Sequence, residues 1–335
     1  EKRTLEKRPT ESTEAYTLYL KGRYYWNERN RASIQRGIAY LEKAAQADPN
    51  MALAYSDLAV AYVMAADYSV LSPTEAYQKI REYSTKALEM DPSLSEPHAA
   101  LGIMHERNYE WALAEQEFRK ALEINPNNSI TRHWYALDLY FQGKIQDAIL
   151  EWRRAKEVDP LSLIIGTTLG YSLVRTGHVE EGLTMQTTVV EMNDAFEVAH
   201  RNLAYSYMIL QRIDDAAREA RRLLALSREP VNAAVAASVL AIAGFKDEAT
   251  SILNELLNRS QTGYVDPAQL GAVYAALGDE AKAFELLDKA VSEKSAGVPY
   301  ASAYPAFDAF RSNPRFRDLL NRITKPPSKN GFIPN

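Results

Sequence analysis

Pro92, Pro126 and Pro160 stand 34 residues apart, and Pro49 precedes them by one longer interval. A fixed period of that length marks stacked two-helix units, each too small to bury its own apolar face and therefore packed on its neighbours. Such a stack offers a long curved surface to other macromolecules and has no built-in catalytic crevice. With 335 residues, 46% of them apolar, the chain can fill a core that grows by adding units, so one elongated domain is expected rather than two.

Taking each proline as position 32 of a unit, the remaining positions fall into register. Position 8 is always small: Ala59, Gly102, Ala136, Gly170, Ala204, Ala237 and Gly271. Position 20 carries Gly37, Ala114, Ala148, Gly182, Ala216, Ala249 and Ala283, with Ile80 the misfit in a unit that holds an insertion. Small residues recurring at two fixed places are what two closely crossing helices require. Position 15 is Gly143, Gly177, Gly244 and Gly278 in four of the units, where a first helix must end in the left-handed conformation. Ser72-Pro73-Thr74-Glu75 and Asp266-Pro267-Ala268-Gln269 read as helix starts with a reciprocal Glu or Gln. The extra residues of the second unit, around Ala66 to Leu71, are expected to protrude as a loop. From the fifth unit on, Asp194, Arg228, Gln261 and Ser295 replace the proline, which predicts less sharply defined helix ends.

The third unit reads His98, Leu101, Gly102, His105, Ala114, Phe118, Ala121, Pro126, and in this it resembles the tetratricopeptide repeat family, with His at both aromatic slots. The resemblance covers residues 15–296 and implies an all-α, right-handed superhelical solenoid of about eight helix-turn-helix units. These run 15–49, 50–92, 93–126, 127–160, 161–194, 195–228, 229–262 and 263–296, followed by a capping helix and tail at 297–335. The ends carry a more specific likeness. RPTESTEAYTLYLKGRYYW (8–26) and YPAFDAFRSNPRFR (304–317) are similar to the opening and closing segments of the tetratricopeptide region of large bacterial regulators. In those proteins it follows a TolB-like segment behind a winged-helix, cyclase or kinase domain. The resemblance implies that residues 1–14 are a charged linker from an effector domain in cis. It also implies that Phe316, Leu319, Leu320 and Ile323 cover the last unit. By its residues alone, the first segment is a solvated charge run.

In such stacks the first helix of each unit lines the concave face. Reading those positions gives a candidate partner-binding strip of His133, Leu137, Tyr140, Thr167, Tyr171, Arg175, Arg201, Tyr205 and Met208. Tyr and Arg are enriched at binding hot spots, and an extended or helical peptide could lie on them. The alternative is that the tyrosines pack against neighbouring units or against a C-terminal segment folded into the groove. The Lys and Asn pattern with which tetratricopeptide co-chaperones grip a C-terminal carboxylate is absent.

Other functions lack their markers. There is no Gly-rich phosphate loop, no H-E-x-x-H and no G-x-S-x-G, so no catalytic residue, cofactor or metal is expected. His98 and His105 fall on core slots and read as packed interior histidines. Net charge is −5 with no dense basic cluster, which argues against nucleic acid; Arg218, Arg221 and Arg222 read as a salt-bridged outer face. The stretch from Ala233 to Phe245 is too short to span a bilayer of about 30 Å. Absence of cysteine leaves both cytoplasm and periplasm open. The expectation is a non-catalytic domain that binds a protein or peptide, as the sensor or recruitment part of a bacterial regulator. A scaffold or assembly factor for a multiprotein or envelope complex is the alternative.

Overall fold

The computed structural model describes residues 10–324. Its helices are α1 Thr13–Asn27, α2 Arg31–Ala47, α3 Ala52–Asp67, α4 Pro73–Met90, α5 Glu96–Arg107, α6 Trp111–Ile124, α7 Ser129–Phe141, α8 Ile145–Val158 and α9 Leu163–Arg175. They continue with α10 Val179–Met192, α11 Glu197–Ile209, α12 Ile213–Leu226, α13 Pro230–Ile242, α14 Lys246–Ser260, α15 Pro267–Leu277, α16 Glu280–Ser292 and α17 Pro314–Thr324. Two 3-10 turns, Pro299–Ser302 and Pro305–Phe310, lie between α16 and α17. Among the described residues there is no strand, and the class is all-α as the period requires. Most of the charged segment, residues 1–9, and the end of the tail lie outside the described residues. The first helix starts at Thr13, behind a Ser12 side chain that accepts from the Ala15 N–H.

Contacts gather into two compact units, 1–135 and 136–335, where the sequence suggests one. The division falls inside α7, so it is no linker; hairpins that touch mainly their neighbours give a stack no single centre. In the first unit the hairpins are α1/α2, α3/α4 and α5/α6, and in the second α9/α10, α11/α12, α13/α14 and α15/α16.

The small residues do what their spacing suggests. A Cβ placed on Gly182 would lie 2.5 Å from the carbonyl oxygen of Gly170, and one on Gly102 would lie 2.8 Å from the Phe118 ring. At the turns, Gly143, Gly177, Gly244 and Gly278 have φ between +79° and +94°. In the third and sixth units the same place is held by Tyr109 (φ 63°) and Gln211 (φ 59°), so the left-handed turn recurs even without glycine.

What ends the second helices is the residue before the proline. Asp48, Asp91, Asn125 and Asn193 each leave the helix in extended or near-extended conformation, and each Oδ1 accepts from the N–H two residues on, at 3.0–3.2 Å. A side chain that mimics a turn in this way stops a helix by itself. Asn193 does so with Asp194 behind it, and Ser227 follows suit, its hydroxyl accepting from the Glu229 N–H at 3.2 Å. The fifth and sixth helix ends are therefore as well defined as the earlier ones.

The second-unit insertion does not protrude. It is absorbed into longer helices, 16 residues in α3 and 18 in α4. The connection between them is half-buried or better, with Ser69 at 1% exposure and its carbonyl accepting from Arg31. Ser72 and Glu75 form the expected reciprocal cap. At α15 Gln269 does not reciprocate; the Asp266 carboxylate caps the helix at Ala268 and takes two further donors, described below. Of the two interior histidines, His98 is buried and bonded to Glu117 at 2.6 Å, and His200 repeats that contact with Glu219 at 2.7 Å in the same register. His105 is only half-buried and meets Glu110 at the turn. Among the described residues no group of three or more His, Asp or Glu could hold a metal, and no helix is long and apolar enough to cross a membrane.

Candidate partner-binding strip

In the second unit the period places Tyr140 on α7, Tyr171 on α9 and Tyr205 on α11, all first helices of their hairpins. Tyr171 and Tyr205 are neighbours, ring centroids 6.1 Å apart. Tyr140 packs on Trp152 at 5.9 Å. Tyr171, Tyr205 and Met208 are nonetheless 8%, 5% and 5% exposed, which is core-like burial.

The cover is the chain itself. Residues 299–304 cross the strip: the Tyr171 hydroxyl donates to the Ala303 carbonyl at 2.6 Å, and the Arg175 guanidinium donates to the same carbonyl at 2.8 Å and to that of Ser302 at 3.4 Å. Tyr304 lies 5.7 Å from Tyr205, and Tyr300 meets Phe141 edge-on at 4.7 Å. Burial pushes the Tyr171, Tyr205 and Tyr304 phenols well above their ordinary range, so all three stay neutral, and Tyr171 is a donor. The strip is thus covered in this unit: the tyrosines pack both on a neighbouring hairpin, as Tyr171 does on Tyr205, and on the folded-in C-terminal segment.

Both ends of this strap are fixed. Asp266, 2% exposed, accepts from the Ala268 N–H and the Ser295 hydroxyl through Oδ1 and from the Gly297 N–H through Oδ2, all at 2.8 Å. Beyond the strap, Phe307 and Phe310 pack on Phe316 of α17, and Phe310 stacks on Phe284 at 5.1 Å. Phe316, Leu319 and Ile323 are buried and Leu320 half-buried.

The other expected strip residues separate. Arg201 is half-buried on α11 and acts through its charge on the Glu197 carboxylate one turn back and on Tyr205 and Tyr304, without a direct hydrogen bond or ion pair. Leu137 and Thr167 are buried, and Thr167 Oγ1 has no hydrogen-bond partner. His133 lies in the first unit, 3% exposed; burial first, then the charge of Arg29, holds its imidazole down to about 3. A depressed value means that its contribution to stability is present above pH 6.5 and is lost as pH falls towards 3. At pH 5 the loss is about 2 kcal/mol. Urea melts at pH 7 and pH 5 should therefore show His133→Leu losing less stability on acidification than the parent chain, by about that amount. An unchanged difference would mean the imidazole is not held neutral. Burial raises Asp57 and Glu106 of the same unit to about 7, in the opposite sense, so only the comparison with the variant isolates His133.

Sequence reasoning left a folded-in C-terminal segment open as an alternative but did not assign its residues. Its signal, Tyr300 and Tyr304 beside Pro299 and Pro305, lay in a stretch read as cap. The basic cluster is neutralised as expected: Arg218 pairs with Asp215 at 2.8 Å, Arg221 with Glu248 at 2.9 Å, and Arg222 with Asp194.

With hairpin phase, turns and cap in place, comparison with known proteins identifies the fold. The solved structure of the anaphase-promoting-complex hetero-tetramer Cut9–Hcn1 superposes with a TM-score of 0.60 at 16% identity, covering 91% of this chain and 55% of that one. Human tetratricopeptide repeat protein 13 is 28% identical over 128 residues, 36% of this chain and 15% of its own length. The chain has the stacked-hairpin fold of tetratricopeptide-repeat proteins. No family model matches it. The transcriptional regulator HilA of Salmonella typhimurium is 23% identical over 157 residues, 47% of this chain and 28% of HilA. The chain thus spans less than a third of the length of these curated relatives.

Proposed function

We propose that the chain is a non-catalytic interaction domain that binds a protein or peptide segment on the first-helix face of its hairpins, as the sensor or recruitment part of a larger bacterial regulator. One observation carries this reading: Tyr171 and Arg175 hold an irregular segment by its main-chain carbonyls. A grip on carbonyls gives affinity to any chain of suitable shape, and flanking side-chain contacts give selectivity. The tetratricopeptide fold supports protein partners, and the likeness to HilA, a transcriptional regulator by name, supports the regulatory setting. The test is competition. Immobilised full chain recovers a protein from bacterial extract, and excess synthetic peptide spanning residues 297–311 is expected to release it. A partner that stays bound through peptide excess sits elsewhere, and the strip would then have no recruiting role.

A further inference from the structure

Resting on that reading of the strip, we propose that residues 299–304 are its built-in occupant, and that the external ligand which replaces them is an acidic peptide segment carrying two aromatic residues four apart.

The strap is tied down outside the stretch that fills the site. On one side the Asp266 carboxylate holds Ser295 and Gly297; on the other, Phe307 and Phe310 are packed into the cap. Lifting residues 299–304 off the strip breaks one further bond, from the Arg311 guanidinium to the Ser302 carbonyl at 3.0 Å, and leaves both anchors in place. What they would vacate is specific: two carbonyl positions facing Tyr171 and Arg175, and two aromatic positions, Tyr300 against Phe141 and Tyr304 against Tyr205. A ligand reproducing that spacing takes the same contacts.

The acidic character follows from what the strap leaves unused. From Val298 to Ala306 the sequence is VPYASAYPA, without a carboxylate. Arg175 is turned to carbonyls, with the Asp308 carboxylate acting on it only through its charge, and Arg201, half-buried one turn before Tyr205 on α11, has no direct hydrogen bond or ion pair, only the charge of Glu197 one turn further back. A guanidinium in that setting gains from a carboxylate, which it can bind through two parallel hydrogen bonds. A ligand with an acid next to its second aromatic thus has a contact that the strap lacks. The strap in turn lowers the apparent affinity for every ligand by the fraction of molecules in which it is lifted.

The experiment is fluorescence polarisation at fixed salt with two labelled synthetic peptides, EYASAYE and its uncharged analogue QYASAYQ. They are titrated with the full chain and, separately, with Tyr300→Ala, Tyr304→Ala and Arg201→Met. Each tyrosine variant is expected to bind EYASAYE at least about tenfold more tightly than the parent chain. The analogue should bind about tenfold more weakly than EYASAYE, and Arg201→Met should erase that preference. Equal binding of EYASAYE by the parent and both tyrosine variants would overturn the strap as occupant and leave the peptide site standing. Equal binding of the two peptides would overturn the acidic ligand. No binding by any protein, with circular dichroism and melting showing the variants folded, would overturn the site itself.

Discussion

Gly182→Ala is expected to destabilise the chain by about 2–3 kcal/mol, although the same substitution in an ordinary helix stabilises by up to about 1 kcal/mol. The reversal comes from the crossing of α9 and α10. The added carbon would lie 2.5 Å from the Gly170 carbonyl oxygen, 2.8 Å from a Val174 methyl and 2.9 Å from the Val174 nitrogen. Two of those neighbours are backbone and cannot rotate aside, so the helices must part and lose contact along their length. Gly271→Ala is the control. Its closest contact is 3.2 Å and the next two are side-chain atoms at 3.5 and 3.6 Å, so a near-neutral result is expected there. Denaturant melts of both variants check the pair; a neutral Gly182→Ala would mean that the two backbones do not meet.

Asp266→Ala is expected to cost about 3 kcal/mol and to loosen the strap. The carboxylate is an N-cap for α15, worth about 1 kcal/mol. It is also the acceptor for Ser295 and Gly297, and its loss leaves buried donors unpaired at about 1–3 kcal/mol each. Burial raises the Asp266 carboxyl above its ordinary value in spite of these three donors. Hydrogen exchange should speed up at residues 297–304 more than in α13 or α14. Uniform loss of protection would indicate that the residue serves global stability only.

Much of the fold was legible because repeat packing is local. A hairpin and its neighbour lie within some 34 residues, so their fit is written in glycines and alanines at short range, as with Gly170 and Gly182 or Gly102 and Phe118. The helix stops were legible too but assigned to the wrong residue: Asn193 and Ser227 show that the side chain before the proline does the stopping. Other features escaped because nothing nearby encodes them. Gln186 occupies the slot filled by Phe118 and Trp152 in the preceding units, and it is fully buried with neither side-chain polar atom partnered.

The sequence by itself determined that this chain stacks helical hairpins in one phase, since each turn and crossing depends on residues a few tens of positions apart. Only the tertiary structure decided which surface is free. The bond from Tyr171 to Ala303 joins residues 132 apart. No local period signals such a contact, because it depends on where the last repeat delivers the chain and on whether carbonyls there meet donors already in place.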